Sequence, residues 1–358
     1  MKNQKWYVGT GLSMMLLLAA CGGGEGESSD ADDSEGGGDS SSSEFEEMTI
    51  TFSHNQPEES PEHAGALAFK DVVEEQTDGQ VTVDLYPASQ MGSLREQVEG
   101  TQIGEIDITM QPSAVVSPFV DDIKVIDLPY LWPESNEEKY EVLDSEVGDE
   151  LLGTLEQGGF TGMGYWPGGF KLFTTSGKEI HEPADFKGLT MRTMESPTLI
   201  EQYKSWGGNA EPVPYAEVYN ALQQGVVDGQ ENPLQTIYLN DYQEVQDYII
   251  EGYHGTMTYL LMANQGWFEG LDESMQDVLT EAEEEGVTAA RQELADTEDE
   301  YRENLKNTEG VEYYELTEEE REVFREESQP IHEAVYSEGH QQEILQKIYD
   351  EIESVTGE

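Results

Sequence analysis

Arg192 lies in GLTMRTMESP (Gly188–Pro197), a mostly uncharged stretch of a chain that carries 77 acidic residues against 17 basic ones. An arginine there has two chemical uses. On the surface at a strand end it pairs with one of many nearby acids, a contact that contributes only about 0–1 kcal/mol. Facing a cleft at the carboxyl end of a strand, where α/β sheets bind ligands, its planar fork grips a carboxylate through two parallel hydrogen bonds. The residue by itself leaves both uses open.

Other chemistry is sparsely provided. The histidines (His54, His63, His181, His254, His332 and His340) are scattered along the chain, with no HExxH and no close pair. His181-Glu182 reads as a surface turn before Pro183 rather than a metal-ligand pair. No G-x-S-x-G elbow occurs, and GGGEG (Gly22–Gly26) precedes no helix, so it is linker and not a phosphate loop. No catalytic constellation, metal set or cofactor motif is expected. A binding protein is therefore favoured over an enzyme, and a surface adhesin without small-molecule affinity is a further rival.

The elements that would carry Arg192 alternate in type. Met48–Ser53 (MTITFS) alternates and is β-branched, predicting a first strand. Glu62–Thr77 follows as a helix with Ala66, Phe69, Val72 and Val73 on one face. Gln80–Pro87 predicts a second strand, Leu94–Gly104 a helix and Glu105–Gln111 a third strand. Gly159–Trp166, Gly169–Ser176 and Leu189–Met194 predict strands in the middle of the chain, and Ser196–Trp206 and Ala216–Gln224 predict helices. Val226–Gly229 (VVDG) reads as a short buried strand. Beyond Leu271 the pattern is helical, with Leu271, Met275, Val278, Leu279 and Ala282 in one stripe, and Thr317 with Glu320 forms a capping-box pattern. Such alternation signals an α/β fold, a mostly parallel sheet with helices on its faces.

At 358 residues the chain suits two lobes rather than one core. Its first 20 residues stand apart: a basic start (Met1–Lys5), an apolar run (Trp6–Ala20), then Cys21, the single cysteine. Leu18-Ala19-Ala20-Cys21 resembles a bacterial lipobox, where the leader is cut before the cysteine and its thiol is acylated. That implies stable anchoring, because more than one acyl chain sits on one residue. Residues 22–47 hold almost no apolar side chains and read as a flexible acidic tether. The net charge of −60 excludes nucleic acid and anionic lipid surfaces as partners, which both need basic patches. Acid spread along the whole chain reads as an adaptation to high salt, where a Debye length of ~3 Å screens self-repulsion.

The run GLTMRTMESPTLIEQYKSWGGNAEPVPYAEVYNALQQGVVDGQENPLQTIY (Gly188–Tyr238) resembles the signature of TRAP-transporter solute-binding proteins, the DctP family. DLYPASQMGSLREQVEGTQIGEIDIT and DLPYLW resemble the family's first lobe, and YQEVQDYII and the helices after it resemble its later parts. The resemblance implies a two-lobed periplasmic-binding-protein (venus flytrap) fold, each lobe a mixed sheet flanked by helices, with long C-terminal helices. It implies lobe I over 48–168, lobe II over 169–257, a return to lobe I over 258–297, and C-terminal helices packing on lobe II over 298–358. It further implies a receptor for a small organic acid, C4-dicarboxylates and zwitterions such as ectoine included. The partners implied are small and large membrane subunits of the DctQ and DctM type, with the protein lipid-anchored outside the cytoplasmic membrane. An ATP-driven transporter is the alternative partner.

By the same resemblance Arg192 falls on the arginine that clamps the substrate carboxylate, and Asn232 on an asparagine that binds it. Asn232 also suits a helix N-cap before Pro233. Tyr215 falls on an aromatic position lining the pocket, or in ordinary core. Asn55, after the first strand, corresponds to a polar pocket position on the opposite lobe. Lys171 stands where many members have a second arginine; it keeps the charge without the fork, which weakens a dicarboxylate reading. Trp166 is an aromatic wall or a core residue. Gln111-Pro112 lacks the acidic side chain of relatives that bind acidic sugars.

Overall fold

The computed structural model describes residues 45–357. The leader, Cys21 and nearly all of the tether lie outside the described residues.

The first half opens as expected. Strand β1 (Met48–His54), helix α1 (Pro61–Gln76), strand β2 (Val81–Tyr86), helix α2 (Leu94–Ile103) and strand β3 (Ile108–Pro112) follow in order. Ser60 and Ser93 accept from backbone N–H groups and cap α1 and α2, with Pro61 at the first helical position. Helices α3 (Asn136–Leu143) and α4 (Glu146–Gly153) then lead into strand β4 (Phe160–Thr175). The second half holds β5 (Thr190–Thr193), α5 (Pro197–Ser205), β6 (Asn209–Pro212), α6 (Val218–Gln223), β7 (Gly229–Pro233), α7 (Leu234–Leu239) and β8 (Tyr248–Asn264). Helix α8 (Glu273–Lys306), strand β9 (Glu312–Glu315), helix α9 (Glu318–Val335) and helix α10 (Gly339–Thr356) complete the chain.

One sheet runs through both halves in the order β2-β1-β3-β8-β4-β7-β5-β6, with β9 paired to β8. It is mixed: β1–β2, β1–β3, β5–β6, β5–β7 and β8–β9 are parallel, whereas β3–β8, β4–β7 and β4–β8 are antiparallel. The two strands read at 159–166 and 169–176 are one element. β4 and β8 pair along most of their 16 and 17 residues, but their register slips between Pro167 and Phe170. Proline has no N–H for the ladder, and Gly169 takes φ +83°, a conformation that costs a side chain strain.

That slip marks the middle of the molecule. The carboxyl ends of β1 and β3 approach it from one side, with Pro112 opposite Tyr259; the carboxyl end of β7 approaches from the other, with Pro233 opposite Lys171. Several strand ends therefore converge on one zone.

Three apolar clusters fill the body. The first joins β1–β3, β8 and α1 with Val278, Leu279 and Ala282 of α8. The other two centre on Leu172, Val218 and Ile237, and on Phe173, Phe186 and Trp206. Helix α8 spans the halves, since Leu305 near its end belongs to the second cluster. The expectation for 298–358 divides. Phe324 of α9 joins Phe173 and Trp206 in the second half, but Ile344, Leu345 and Ile348 of α10 pack with α3 and α4 in the first-half core.

Candidate functional site

Arg192 sits on β5 with its side chain 3% exposed. Its Nε–H donates to Val213 O at 3.0 Å, and no carboxylate among the described residues lies within ion-pair distance. Burial works against its charge, while Tyr242, Tyr215 and Glu231 support it. A guanidinium taken from water and given one neutral partner leaves most of its desolvation cost standing. It borders a cavity of about 120 Å³, room for a few heavy atoms. The cavity is lined from the first half by Leu94, Arg95 and Val115, and from the second by Arg192, Met194 and Tyr215. The surface-arginine alternative is thereby removed.

Tyr215 begins a 3-10 turn and is half-buried at the cavity; its hydroxyl accepts from Asn240 Nδ2 at 2.9 Å. Asn232 lies inside β7, not before a helix, and makes no cap; Pro233 occupies the cap position of α7. The Met191–Gly229 pairing and the two-residue alternation of strands put Gln230 and Asn232 on the sheet face that carries Arg192. The Asn232 amide donates to Gln230 Oε1. β7 itself corrects the expected strand at Val226–Gly229, since only Gly229 of that run belongs to the strand, which covers the polar QENP segment instead.

Lys171 is elsewhere. It is 1% exposed, and its Nζ lies 2.5 Å from Glu231 Oε1. Glu231 also accepts from Gln202 at 2.9 Å, Tyr203 at 2.7 Å and His254 at 3.1 Å. Burial opposes the Glu231 charge, but Lys171 and the His254 bond outweigh it and hold the carboxyl well below its usual range. The positive charge expected to face ligand is neutralised inside the second half. Trp166 is likewise withdrawn from the site. Its ring wedges under the α1/α8 crossing, where a Cβ on Gly65 or Gly286 would come within 2.7 or 2.8 Å of it, and its Nε1–H donates to Glu283 Oε1 at 3.0 Å.

Asn55 is buried just past β1. The fold also pairs two histidines that the sequence keeps nine positions apart: His54 Nε2 lies 3.1 Å from His63 Nδ1. Burial and the His63 neighbour pull His54 down to about 3, and burial lowers His63 as well. No group of metal-ligating side chains occurs among the described residues. Arg95 was not singled out from sequence, because a lysine or arginine on a helix usually belongs to a solvated face.

Residues 52–339 match the profile of bacterial extracellular solute-binding protein family 7, DctP. The C4-dicarboxylate-binding periplasmic protein DctP of Rhodobacter capsulatus is 33% identical over 288 residues, covering 80% of this chain and 86% of that one. A TRAP periplasmic solute-binding protein of Desulfovibrio salexigens, solved with bound orotic acid, superposes with a TM-score of 0.82 at 31% identity over 86% of this chain and 99% of its own. The periplasmic ectoine-binding protein of the Halomonas elongata TeaABC TRAP transporter superposes with a TM-score of 0.82 at 27% identity, covering 86% and 99%.

Proposed function

Because this chain belongs to the DctP family of TRAP-transporter solute-binding proteins, and so is an extracytoplasmic solute receptor rather than a member of an enzyme class, we propose that it captures a small organic acid through Arg192. One observation carries the reading: a buried guanidinium with no ion-pair partner among the described residues borders a cavity lined from both halves. A ligand carboxylate supplies the missing charge, and rejection of neutral solutes follows from the cost of closing the cleft over an unpaired cation. Asn232 and Tyr215 on the second half and Asn55 on the first are the supporting contacts. Relatives described as binding C4-dicarboxylates, orotic acid and ectoine fit a pocket that fixes one carboxylate and varies beyond it.

The register slip at Pro167–Phe170 is the proposed hinge between lobe I (48–168, with 258–297) and lobe II (169–257), the kind of site at which binding proteins close. Cys21 is the proposed lipidation site, and residues 22–47 the tether that holds the receptor near its DctQ- and DctM-type membrane partners. The net charge of −60 supports work in concentrated salt.

A thermal-shift screen of organic acids followed by titration calorimetry tests the clamp. Arg192→Ala should lower affinity at least about 30-fold, because truncating one partner of a buried charge pair costs roughly 2–5 kcal/mol, with the melting temperature unlowered. The acid should be recovered chemically intact. Unchanged affinity in the variant rejects the clamp; a transformed acid rejects the receptor-only role.

A further inference from the structure

Three side-chain oxygens on the first half are buried without a hydrogen-bond partner: Asn55 Oδ1, Gln56 Oε1 and Glu62 Oε2. The two amide oxygens are acceptors, and so is the Glu62 oxygen while its carboxyl is ionised. Gln56 Nε2 donates to the Tyr259 hydroxyl, so that amide nitrogen is committed. The single Tyr259 proton can serve only one acceptor, which leaves at least two unfilled. Glu62, in the first turn of α1, is 0% exposed, and its other oxygen lies 3.5 Å from Gln235 Nε2 on α7. The group lies by the zone where the strand ends converge: Gln56 bonds Tyr259, which stands opposite Pro112 and Trp166, and Glu62 meets Gln235, three residues past Asn232.

Cations that could meet a second carboxylate are committed. Lys171 is paired with Glu231, Arg95 is shared between Glu99 and Glu195 at 2.9 and 3.0 Å, and burial disfavours the charge of Lys139, which meets only Asn136 Oδ1 at 3.0 Å. A carboxylate brought against the two amide oxygens and an ionised Glu62 would add repulsion and satisfy none of them. A donor group satisfies them, and leaving buried acceptors empty is costly.

We propose that the end of the site opposite Arg192 receives a hydrogen-bond donor, so that the solute is a carboxylate bearing an ammonium or hydroxyl group rather than a dicarboxylate. The proposal rests on the Arg192 clamp. Glu62 sets the choice between the two donors: its carboxyl, which burial pushes up to about 7, ionises when an ammonium lies against it, whereas a hydroxyl needs only an acceptor.

Calorimetry in molar NaCl with four matched acids of three to six carbons tests this: unsubstituted, ω-hydroxy, ω-amino and ω-carboxy. The ω-amino or ω-hydroxy acid should bind at least ten-fold more tightly than the unsubstituted acid and the dicarboxylate of the same length. Glu62→Gln should weaken an ammonium ligand ten-fold or more, and a hydroxyl ligand less than three-fold. A dicarboxylate that binds as tightly as either donor acid overturns the proposal; if that binding is lost in Arg192→Ala, the clamp stands without it. Binding of none of the four overturns the proposal and counts against the clamp as well.

Discussion

Lys171 and Glu231 offer a double-mutant test of whether this lysine serves the fold or the ligand. Both are nearly inaccessible, with side chains 1% and 2% exposed and 2.5 Å apart. Removing one partner strands the other charge, at a cost of about 3–5 kcal/mol. For a body of this size each kcal/mol moves the melting temperature by about 2 °C, so Lys171→Met and Glu231→Gln should each lower it by roughly 6–10 °C. Glutamine retains an oxygen for the Gln202 amide and the Tyr203 hydroxyl, so Lys171→Met/Glu231→Gln should recover at least about 2 kcal/mol of the summed single costs. Thermal and denaturant unfolding in one salt concentration supply the four corners of the cycle. Single costs that add within about 0.5 kcal/mol would refute the pairing. A hundred-fold loss of affinity in Lys171→Met without a lowered melting temperature would return the lysine to the ligand.

Three further outcomes are expected. Burial and Arg291 pull Lys139 down to about 7, against an ordinary value of 10.5, so between those values the unfolded chain holds a proton that the folded protein lacks. Stability should therefore rise with pH across that window, and Lys139→Met should flatten the rise and add about 1–4 kcal/mol at pH 7, measured by denaturant unfolding. Raising NaCl from 0.05 M to 2 M should increase the melting temperature steeply, because the Debye length falls below ~3 Å and a net charge of −60 ceases to repel itself; a flat profile contradicts the salt adaptation. Cys21→Ser should move the protein from the membrane to the soluble fraction on cell fractionation, and unchanged partition contradicts the anchor.

How far the sequence spoke depended on the range of each interaction. Periodicity located β1, α1, β2, α2 and β3, and the Thr317–Glu320 capping box opens α9 as its spacing required. These are local patterns. β8 was not assigned: YIIEGYHGTMTYLLMAN is buried over most of its length on both faces, so it shows no alternation, and its glycines and threonines break up an apolar run. β7 was displaced because QENP looks like a turn until one sees that buried partners satisfy each polar side chain. Lys171 shows the harder limit. Nothing near it announces a partner 60 residues away, and only the antiparallel pairing of β4 with β7 brings Glu231 to it. Glu62 was hidden differently, since an acid in the first turn of a helix is an ordinary companion of the macrodipole and gives no sign of burial. Arg192 was legible as a residue of interest, but its lack of an ion-pair partner among the described residues is a fact of three dimensions.

A crystal structure with the tightest-binding acid tests the central claim most directly. The account predicts the ligand carboxylate within about 2.7–2.9 Å of both terminal nitrogens of Arg192, with Nε still bonded to Val213 O. A ligand carboxylate held by other groups, with the Arg192 terminal nitrogens empty or turned to bulk water, would contradict it.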